Sequence, residues 1–586
     1  MKNIFLFLAA TMMAAISMAD VLSNLQALKL VNNQLCTADN TPIQLRGWST
    51  HELSSMREFA DDKADLQKMK TAGANVVRIV IDPTDYTNNS TAVVTWVKNC
   101  VDFCAELDMY SIIDWNVSNP GDPNHSNYSG AAAFFNAFSW YVADNNYHHV
   151  LYEICGEPNL NEEGTIYEKG QTVWSQIKTY ATTVLSVIKV NDPNAIVIVG
   201  TPQWSRGLVF PMVDPMDEQG MNVMYGFHIC GDQEKLLGIL SAASAFIPVF
   251  VSEWAIGGFY GSVSFTEGEA VMNQLMDICN GQNLGGLKIS WCNYGWFEAS
   301  YVSAAFTDYA SSNWSQSGNY VKDLLASSPS LTRTTTDYNE QDIDEVNDTS
   351  LALKEFDNGG KGNAYWDYDD PFLCGGITPC NGNFGKAGAE DGIRDDQSVD
   401  LGYTYESVPS DGYISLTYIA EGEWVQYTVN VAVAGEYDFE LYSNNYISDN
   451  IMAIAVDGEN ALVDADGNEP YKAIQIPPCH GGTTDGSGYS EWGWIDPKSP
   501  IDASKQFRIR FKTTGEHKLA LAFMTECAGL GTIKLKGNPT TAIDEVIVPN
   551  GKETATDANA VKRLVNGQLL IETNGRTYNA QGAELR

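Results

Sequence analysis

Basic side chains are scarce in this sequence: 35 Lys and Arg stand against 74 Asp and Glu, a formal net charge of -39. Such a charge repels phosphate backbones and anionic lipid, which argues against a nucleic-acid partner. The eleven Cys residues include no CxxC pair of the kind that holds zinc. No apolar run beyond the N-terminus is long enough to span a bilayer, so we expect no transmembrane segment.

The first 19 residues predict a secretory signal peptide. Lys2 precedes a short apolar stretch, and Ser17-Met18-Ala19 offers the small residues suited to cleavage after Ala19. We therefore expect a secreted or cell-surface protein.

Within a predicted domain of residues 20–327, residues 43–295 show a repeated pattern of a short run rich in Val and Ile, a polar turn and a longer stretch with helical spacing. Strands that alternate with helices imply a parallel sheet, and this number of units fits a (β/α)8 TIM barrel. The strand-like runs are residues 43–49, 75–81, 110–117, 149–157, 195–201, 223–230, 248–256 and 287–295.

Four of these runs end in polar residues, namely Asn116, Glu157, His228 and Glu253. The active sites of such barrels lie at the carboxyl ends of the strands. A solvated loop could explain any one of these residues, but two carboxylates at equivalent strand ends favour a catalytic pair. Paired carboxylates on a barrel rim are typical of glycosidases, in which one donates a proton and the other attacks the anomeric carbon.

Ordered motifs then show a family resemblance. The motifs QLRGWSTH (44–51), ANVVRIV, IIDWN, VLYEICGEPN, IVGTPQWS, VMYGFH and VFVSEW resemble glycoside hydrolase family 5, especially its bacterial endo-β-1,4-glucanases. The resemblance implies a retaining enzyme that cleaves cellulose or a related plant-wall β-glucan, with Glu157 as acid/base and Glu253 as nucleophile. Arg78 and His228 match supporting residues of that family. The further candidates for sugar contacts are His51, Trp204, Trp254 and Trp296.

Six positions depart from the family pattern, among them Ser55, where the family has a Trp, and Ala299, where it has a Lys. Asn116 replaces a His, Gly156 an Asn, Cys230 a Tyr and Tyr294 a Trp. Glycine cannot bond the sugar 2-OH, a contact that strengthens in the transition state. Three hypotheses therefore stay open: a working glucanase, an enzyme shifted to mannan or xyloglucan, and a weakened or inactive polysaccharide-binding protein that serves adhesion. The sequence indicates no organic cofactor and no catalytic metal.

The composition changes after the barrel. Residues 328–344 are rich in Ser and Thr and predict a linker, whereas 345–537 show the short alternating runs of a β-sandwich, expected to be jelly-roll-like. FDNGGKGNAYWDYDD and AEGEWVQYTVNV resemble carbohydrate-binding modules of family 6. The resemblance implies that Tyr403 or Tyr405, with Tyr489 or Trp492, stacks on sugars. Its calcium-binding glutamates are replaced here, near Ala352 and Lys354, so a structural calcium is doubtful.

The C-terminal part predicts a second linker, 538–560, and a short β unit, 561–586. Asn566-Gly567 and Asn574-Gly575 are strong hairpin signals. The unit resembles terminal modules of exported polysaccharide-degrading proteins, which implies sorting or cell-surface attachment.

Overall fold

The structure of the chain is a computed structural model that divides it into two compact units, Met1–Thr541 and Ala542–Arg586. The residues that it describes are 25–52, 61–159, 166–216, 222–258, 263–327, 329–368, 394, 397–403, 414–445, 450–479, 492–499 and 506–540, with strands between 561 and 585. The predicted signal peptide lies outside them. Within these ranges, no helix has both the length and the apolar character needed to cross a bilayer.

Eight parallel strands close into a barrel, which confirms the predicted fold. A hairpin of β1 (Leu28–Val31) and β2 (Gln34–Thr37) packs Leu28 and Leu35 against Val76 and Tyr110 at the amino end of the barrel. That end is therefore covered, and the carboxyl end is left for a site. The barrel strands are β3 (Arg46–Glu52), β4 (Val76–Ile81), β5 (Tyr110–Asn116), β6 (Val150–Gly156), β7 (Ile196–Gly200), β8 (Val223–Cys230), β9 (Val249–Ala255) and β10 (Ser290–Tyr294).

Helices surround the strands. The helix Phe265–Cys279 starts with a capping box, in which the side chains of Ser264 and Glu267 each accept a hydrogen bond from the other's backbone N–H. A short hairpin, β11 (Phe306–Asp308) and β12 (Asn313–Trp314), precedes the last helix. The helices are α1 (Ala64–Thr71), α2 (Pro83–Glu106), α3 (Ala131–Asp144), α4 (Ile166–Asn191), α5 (Val209–Val213), α6 (Leu236–Ala243), α7 (Phe265–Cys279) and α8 (Gln316–Ala326).

Two sheets follow the barrel and enclose one apolar core, to which Tyr427 and Leu521 belong on one side and Leu441 and Ile533 on the other. The strands of the first sheet are β13 (Gln341–Ile343), β15 (Tyr365–Trp366), β18 (Trp424–Val431), β20 (Ile451–Val456), β21 (Glu459–Asn460), β23 (Ile474–Gln475) and β26 (Gly515–Phe523). Those of the second are β14 (Thr349–Ala352), β16 (Leu401–Tyr403), β17 (Ile414–Ile419), β19 (Gly435–Ser443), β22 (Leu462–Asp464), β24 (Gly493–Ile495), β25 (Phe507–Phe511) and β27 (Cys527–Leu535). A sheet-rich region is thus present, and its jelly-roll connectivity stays a prediction.

The first sheet is apolar on both faces because its outer face packs on the barrel. Every residue of α6 from Leu237 to Ala243 is buried, as expected of a helix that is covered on all sides. A Cβ on Gly238 would lie only 2.6 Å from the carbonyl oxygen of Gly422, so backbones approach closely here. The outer-face residues in the barrel's own core cluster include Trp366, Trp424, Ile451, Ala453, Ala455, Ala520 and Ala522.

The segment 328–344 differs from the linker that its composition predicts. Leu331 N donates to Asn280 O at 2.8 Å, and residues 341–343 form β13 alongside β18. Arg333 Nη1 donates to Gln426 Oε1 at 2.8 Å, while its Nη2 donates to Leu284 O of the barrel at 3.3 Å. The barrel and the two sheets are therefore joined by packed chain, and apolar side chains of both occupy one core cluster.

The C-terminal unit contains a four-stranded antiparallel sheet of β28 (Val561–Val565), β29 (Gln568–Thr573), β30 (Arg576–Asn579) and β31 (Glu584–Leu585). The two predicted Asn-Gly turns fall between these strands, outside the described residues.

Candidate active site

A cavity of about 520 Å³ opens at the carboxyl ends of the barrel strands. Its wall contains seven of the residues singled out in the sequence, which the folding of distant strands brings together: Arg78, Asn116, Glu157, His228, Cys230, Glu253 and Tyr294. Glu157 follows β6 directly and holds a positive φ of 60°. Non-glycine residues rarely adopt this conformation, and where they do it often marks a functional site.

Arg78 is the centre of the charge network. Its guanidinium is fully buried and contacts three carboxylates: Nε to Glu153 Oε2 at 2.6 Å, Nη2 to Asp114 Oδ2 at 2.9 Å, and Nη1 to Glu253 Oε2 at 3.0 Å. A buried cation of this kind needs such partners. The fork of Arg78 fixes the Glu253 carboxylate, and Glu153 supports it from below the cavity.

The two candidate catalytic carboxylates lie close together. One oxygen each of Glu157 and Glu253 and one ring nitrogen of His228 all lie within 4.8 Å of one another. Both carboxylates reach the cavity, with side-chain exposures of 25% for Glu157 and 19% for Glu253. The three side chains also have the donor set that could hold a metal ion, but hydrogen bonds and Arg78 already account for their positions.

A hydrogen-bond chain fixes the tautomer of His228. Ser252 Oγ donates to Glu153 Oε1 at 2.7 Å, so it must accept from His228 Nε2–H at 2.9 Å. The other ring nitrogen, Nδ1, lies 3.2 Å from Glu157 Oε1. One proton therefore occupies the gap between His228 and Glu157, carried either by the imidazole or by the carboxyl group.

The pKa directions locate that proton in the resting site. Burial lowers the pKa of His228, but the surrounding carboxylates outweigh this effect and raise it to about 9. Although burial favours protonation of Glu157, the hydrogen bond and charge of His228 lower the pKa of that carboxyl group. Burial and then the charge of Glu157 raise the pKa of Glu253. In the resting site, the shared proton thus lies on His228.

In this resting arrangement the pKa of Glu157 is lowered and that of Glu253 is raised. An acid at Glu157 must instead be protonated, and a nucleophile at Glu253 must be ionised. Transfer of one proton from His228 Nδ1 to Glu157 resolves the difference. It produces a neutral acid and removes the Glu157 charge, which raises the Glu253 pKa more than the His228 charge, lost in the same step, lowers it. Arg78 then holds Glu253 ionised.

Gly156 is explained by its neighbours. A Cβ at this position would lie 2.5 Å from Asp114 Oδ1 and 3.0 Å from Arg78 Nη2. Asp114 itself is completely buried, and burial raises the pKa of its carboxyl group well above the usual range. The glycine therefore makes room for the Arg78–Asp114 pair, a reason that the sequence did not reveal.

Three further departures, Asn116, Cys230 and Tyr294, lie in the cavity wall. Asn116 Oδ1 accepts a hydrogen bond from Ser118 N at 3.0 Å, and Tyr294 packs edge-on against Phe297 at 5.7 Å between ring centroids. Burial raises the pKa of the Cys230 thiol to about 12, so this group is a neutral, weak donor at ordinary pH.

The prediction of sugar stacking is wrong for two residues, Trp254 and Trp296. Trp254 is fully buried and packs against Trp291 and Tyr320, and Trp296 is fully buried against Trp48 and Phe306. A side chain with no exposed ring face cannot stack on a sugar. Trp296 also does not fill the space beside Glu157 and Glu253.

The remaining candidates divide by position. Trp204 is half-buried, with the Arg206 guanidinium 5.8 Å from its ring centroid, and does not line the cavity. His51 belongs to β3, but its side chain lies outside the described structure. Among the cavity residues that sequence reasoning missed are Arg206 and Tyr301, of which Tyr301 is 53% exposed.

The sugar-stacking candidates of the sheet region are only partly described. Trp492 is 6% exposed and stacks on Tyr442 at 5.6 Å, so it does not offer a free ring and that prediction is wrong for it. The side chain of Tyr403, on β16, and all of Tyr405 and Tyr489 lie outside the described residues.

Comparison with known proteins gives a consistent result for the barrel. The family model for cellulases of glycosyl hydrolase family 5 matches residues 36–300. A Bacillus endoglucanase is 30% identical over 314 residues, which are 48% of this chain and 32% of that protein. A Thermoanaerobacterium cellulase is 30% identical over 312 residues, 49% of this chain and 77% of that protein. The chain thus spans about a third of one curated relative and three quarters of the other.

Among solved structures, the catalytic domain of a Thermobifida fusca endoglucanase is 27% identical. It covers 51% of this chain and 97% of its own chain, with a TM-score of 0.44.

Proposed function

The chain belongs to glycosyl hydrolase family 5, and from this premise we propose that its barrel is a retaining endo-β-1,4-glucanase that hydrolyses cellulose or a related plant-wall β-glucan. The observation that carries the proposal is the spacing of Glu157 and Glu253, whose oxygens lie within 4.8 Å of each other. Retaining enzymes hold their carboxyl groups about 5 to 5.5 Å apart, whereas inverting enzymes leave about 6.5 to 9.5 Å for a water molecule.

Each step of the reaction has a residue in position. Glu253, held by Arg78, attacks the anomeric carbon, while Glu157 gives its proton to the oxygen of the departing sugar. Water then takes the place of that sugar and attacks the anomeric carbon of the glycosyl-enzyme. Glu157 removes a proton from this water molecule as the attack proceeds. His228 supplies the proton that Glu157 needs at the start, through the 3.2 Å contact at Nδ1.

Turnover is favoured over binding alone because both carboxylates are oriented. Arg78 holds Glu253, while Ser252 holds the His228 ring with Nδ1 towards Glu157, which is the arrangement that nucleophilic attack and proton transfer require. The site does lack a side chain at Gly156 and a strong donor at Cys230. Losing one transition-state donor costs about 2.7 to 4 kcal/mol in comparable sites, so we expect a slow enzyme.

The test is reducing-sugar release from soluble β-glucan, mannan and xyloglucan by the protein and by Glu157→Gln and Glu253→Ala variants. We expect release from a β-glucan that disappears in both variants, and a β-anomer as the first product by proton NMR. Release from mannan or xyloglucan alone would change the proposed substrate but not the proposed mechanism. Binding without release above the variants would contradict the proposal and favour an adhesive protein.

We further propose that the chain is exported through its N-terminal residues, that the two-sheet region contacts polysaccharide, and that the C-terminal unit serves attachment to the cell surface. The signal-like N-terminus and the sequence resemblances support these proposals. Cell fractionation and polysaccharide pull-down with the full chain and with a chain ending at residue 541 test them. Loss of surface location with intact polysaccharide binding is expected for the shorter chain.

A further inference from the structure

No side chain fits at Gly156, which lies beside the nucleophile. A Cβ there would be 3.0 Å from Nη2 of Arg78, the guanidinium whose other arm, Nη1, donates to Glu253 Oε2 at 3.0 Å. The space next to Gly156 is therefore close to the carboxylate that attacks the anomeric carbon. In a bound sugar, the hydroxyl nearest to that carbon is the 2-hydroxyl. A donor for this hydroxyl must come from a neighbour of Gly156.

An irregularity in the strand register places Asn116 directly opposite Gly156. Asp114 of β5 pairs with Glu153 of β6, whereas Asn116, two residues on, pairs with Gly156, three residues on. The extra residue in β6 is a bulge, and it turns both Glu153 and Gly156 into the barrel. Side chains alternate along a strand, so Asn116 faces the same way as Asp114, which binds Arg78 inside the barrel. Asn116 and Gly156 thus share one layer, on strands about 4.8 Å apart.

The carboxamide of Asn116 has a fixed orientation. Its Oδ1 accepts a hydrogen bond from Ser118 N at 3.0 Å, and since a backbone N–H can only donate, this bond identifies the oxygen end of the amide. Asn116 is half-buried and lines the cavity. Among the residues that the structure describes, none accepts a hydrogen bond from its Nδ2. Two N–H donors are therefore available to a ligand in the cavity.

We propose that Asn116 is a catalytic residue whose Nδ2 donates a hydrogen bond to the 2-hydroxyl of the sugar that Glu253 attacks, in place of the side chain that Gly156 lacks. A bond to this hydroxyl strengthens in the transition state, so it raises kcat. In mannose the 2-hydroxyl points to the other face of the ring, so the same contact favours gluco-configured substrates. The inference rests on the proposed function, because it assigns a further contact in the same reaction.

The experiment compares kcat/KM for an activated aryl β-cellobioside and for two analogues, in which the ring that carries the aryl group lacks either the 2-hydroxyl or the 3-hydroxyl. The proteins are the full chain, Asn116→Ala and Asn145→Ala. Asn145 is a matched control: it is also half-buried, it follows helix α3, its Nδ2 donates to Tyr141 O at 2.9 Å, and it does not line the cavity. Each substrate is compared across proteins, so its own reactivity cancels.

We expect Asn116→Ala to lower kcat/KM for the parent substrate about tenfold, mainly through kcat, and to change that for the 2-deoxy analogue by less than about twofold. The 3-deoxy analogue keeps the 2-hydroxyl, so Asn116→Ala should lower its kcat/KM as much as that of the parent. Asn145→Ala should leave all three values unchanged. The readout is the ratio of kcat/KM for the parent to that for the 2-deoxy analogue.

Three results would overturn the proposal. An equal loss on the parent and on the 2-deoxy analogue would mean that Asn116 only supports the structure of the site. An unchanged kcat/KM in Asn116→Ala would mean that its amide does not contact the sugar. A loss that the 3-deoxy analogue escapes, and the 2-deoxy analogue does not, would assign the amide to a different hydroxyl.

If the wild-type protein cleaves none of the substrates, the proposed function fails, and calorimetry decides the inference about Asn116 separately. The ligands are a thio-linked cellotetraose and its analogue without the 2-hydroxyl on the ring before the sulfur. Tighter binding of the parent that is lost in Asn116→Ala supports the contact. Equal binding of the two, no binding of either, or a preference that Asn116→Ala retains overturns it.

Discussion

Replacing Trp424 by Ala should uncouple the barrel from the two sheets. Trp424 is fully buried on the outer face of the first sheet, its Nε1 donates to Ser241 Oγ of α6 at 3.2 Å, and Arg333 lies 5.3 Å from its ring centroid. Truncating a buried Trp costs about 3 to 5 kcal/mol through lost transfer and cavity terms. The lost hydrogen bond adds about 1 kcal/mol. We therefore expect about 5 kcal/mol of lost stability, concentrated at this contact.

The assay is equilibrium unfolding of the full chain in guanidinium, followed by far-ultraviolet circular dichroism and by tryptophan fluorescence. The matched control is Trp494→Ala. Trp494 is 38% exposed on the second sheet, with Lys534 Nζ 3.7 Å from its ring centroid. Its ring also lies 5.1 Å from that of Tyr442, so replacing this partly exposed Trp should cost about 1 to 2 kcal/mol. In Trp424→Ala, the barrel and the sheets should unfold in separate transitions.

The reasoning is refuted if the two Trp variants lose similar stability, or if Trp424→Ala keeps coincident transitions with the wild-type midpoint. Either result would mean that the contact between α6 and the sheet contributes little to the fold.

Two further predictions concern the active site. In Gly156→Ala the new Cβ, 2.5 Å from Asp114 Oδ1, should lower the free energy of unfolding by about 1 to 3 kcal/mol through overpacking. In a double-mutant cycle with Asp114→Ala, the double variant should lose less stability than the sum of the two single variants. Additive losses in chemical denaturation would contradict this. For His228, the folded-state pKa of about 9 lies above the unfolded value of about 6.5, so its proton stabilises the fold fully below pH 6.5. The free energy of unfolding of the wild type should fall by about 3 kcal/mol between pH 6.5 and 9. His228→Asn should reduce this fall and also the loss of activity at alkaline pH. Parallel pH profiles of the wild type and the variant would rule the effect out.

Much of the barrel and the meeting of Glu157 with Glu253 could be predicted because both follow from short-range patterns. Each predicted run from residue 43 to 295 overlaps a barrel strand, and Glu157, Glu253, Arg78 and His228 meet because the carboxyl ends of parallel strands share one rim. The error at Trp254 was avoidable. Successive residues of a strand point to opposite faces, so if Glu253 reaches the cavity, Trp254 must face the helices.

Other features could not be read from the sequence. Arg206 and Tyr301 lie on connections without periodicity, and their positions depend on how the loops fold over the rim. The reason for Gly156 lies in a contact with Asp114, a residue on a neighbouring strand. A signal for the packed outer face of the first sheet was present in IMAIAV, residues 451–456, which is buried throughout, unlike a strand with one solvated face.

The buried helix α6 has a consequence for how the chain is made. Its residues leave the ribosome long before β18, β20 and β26, the strands that cover it. At roughly 5 to 20 residues per second, the interval lasts tens of seconds, during which a barrel that folds first presents an uncovered apolar helix. A nascent chain stalled in this interval is therefore the form most exposed to aggregation, and a chaperone or an export factor that holds it until the sheets arrive would determine the yield of the protein.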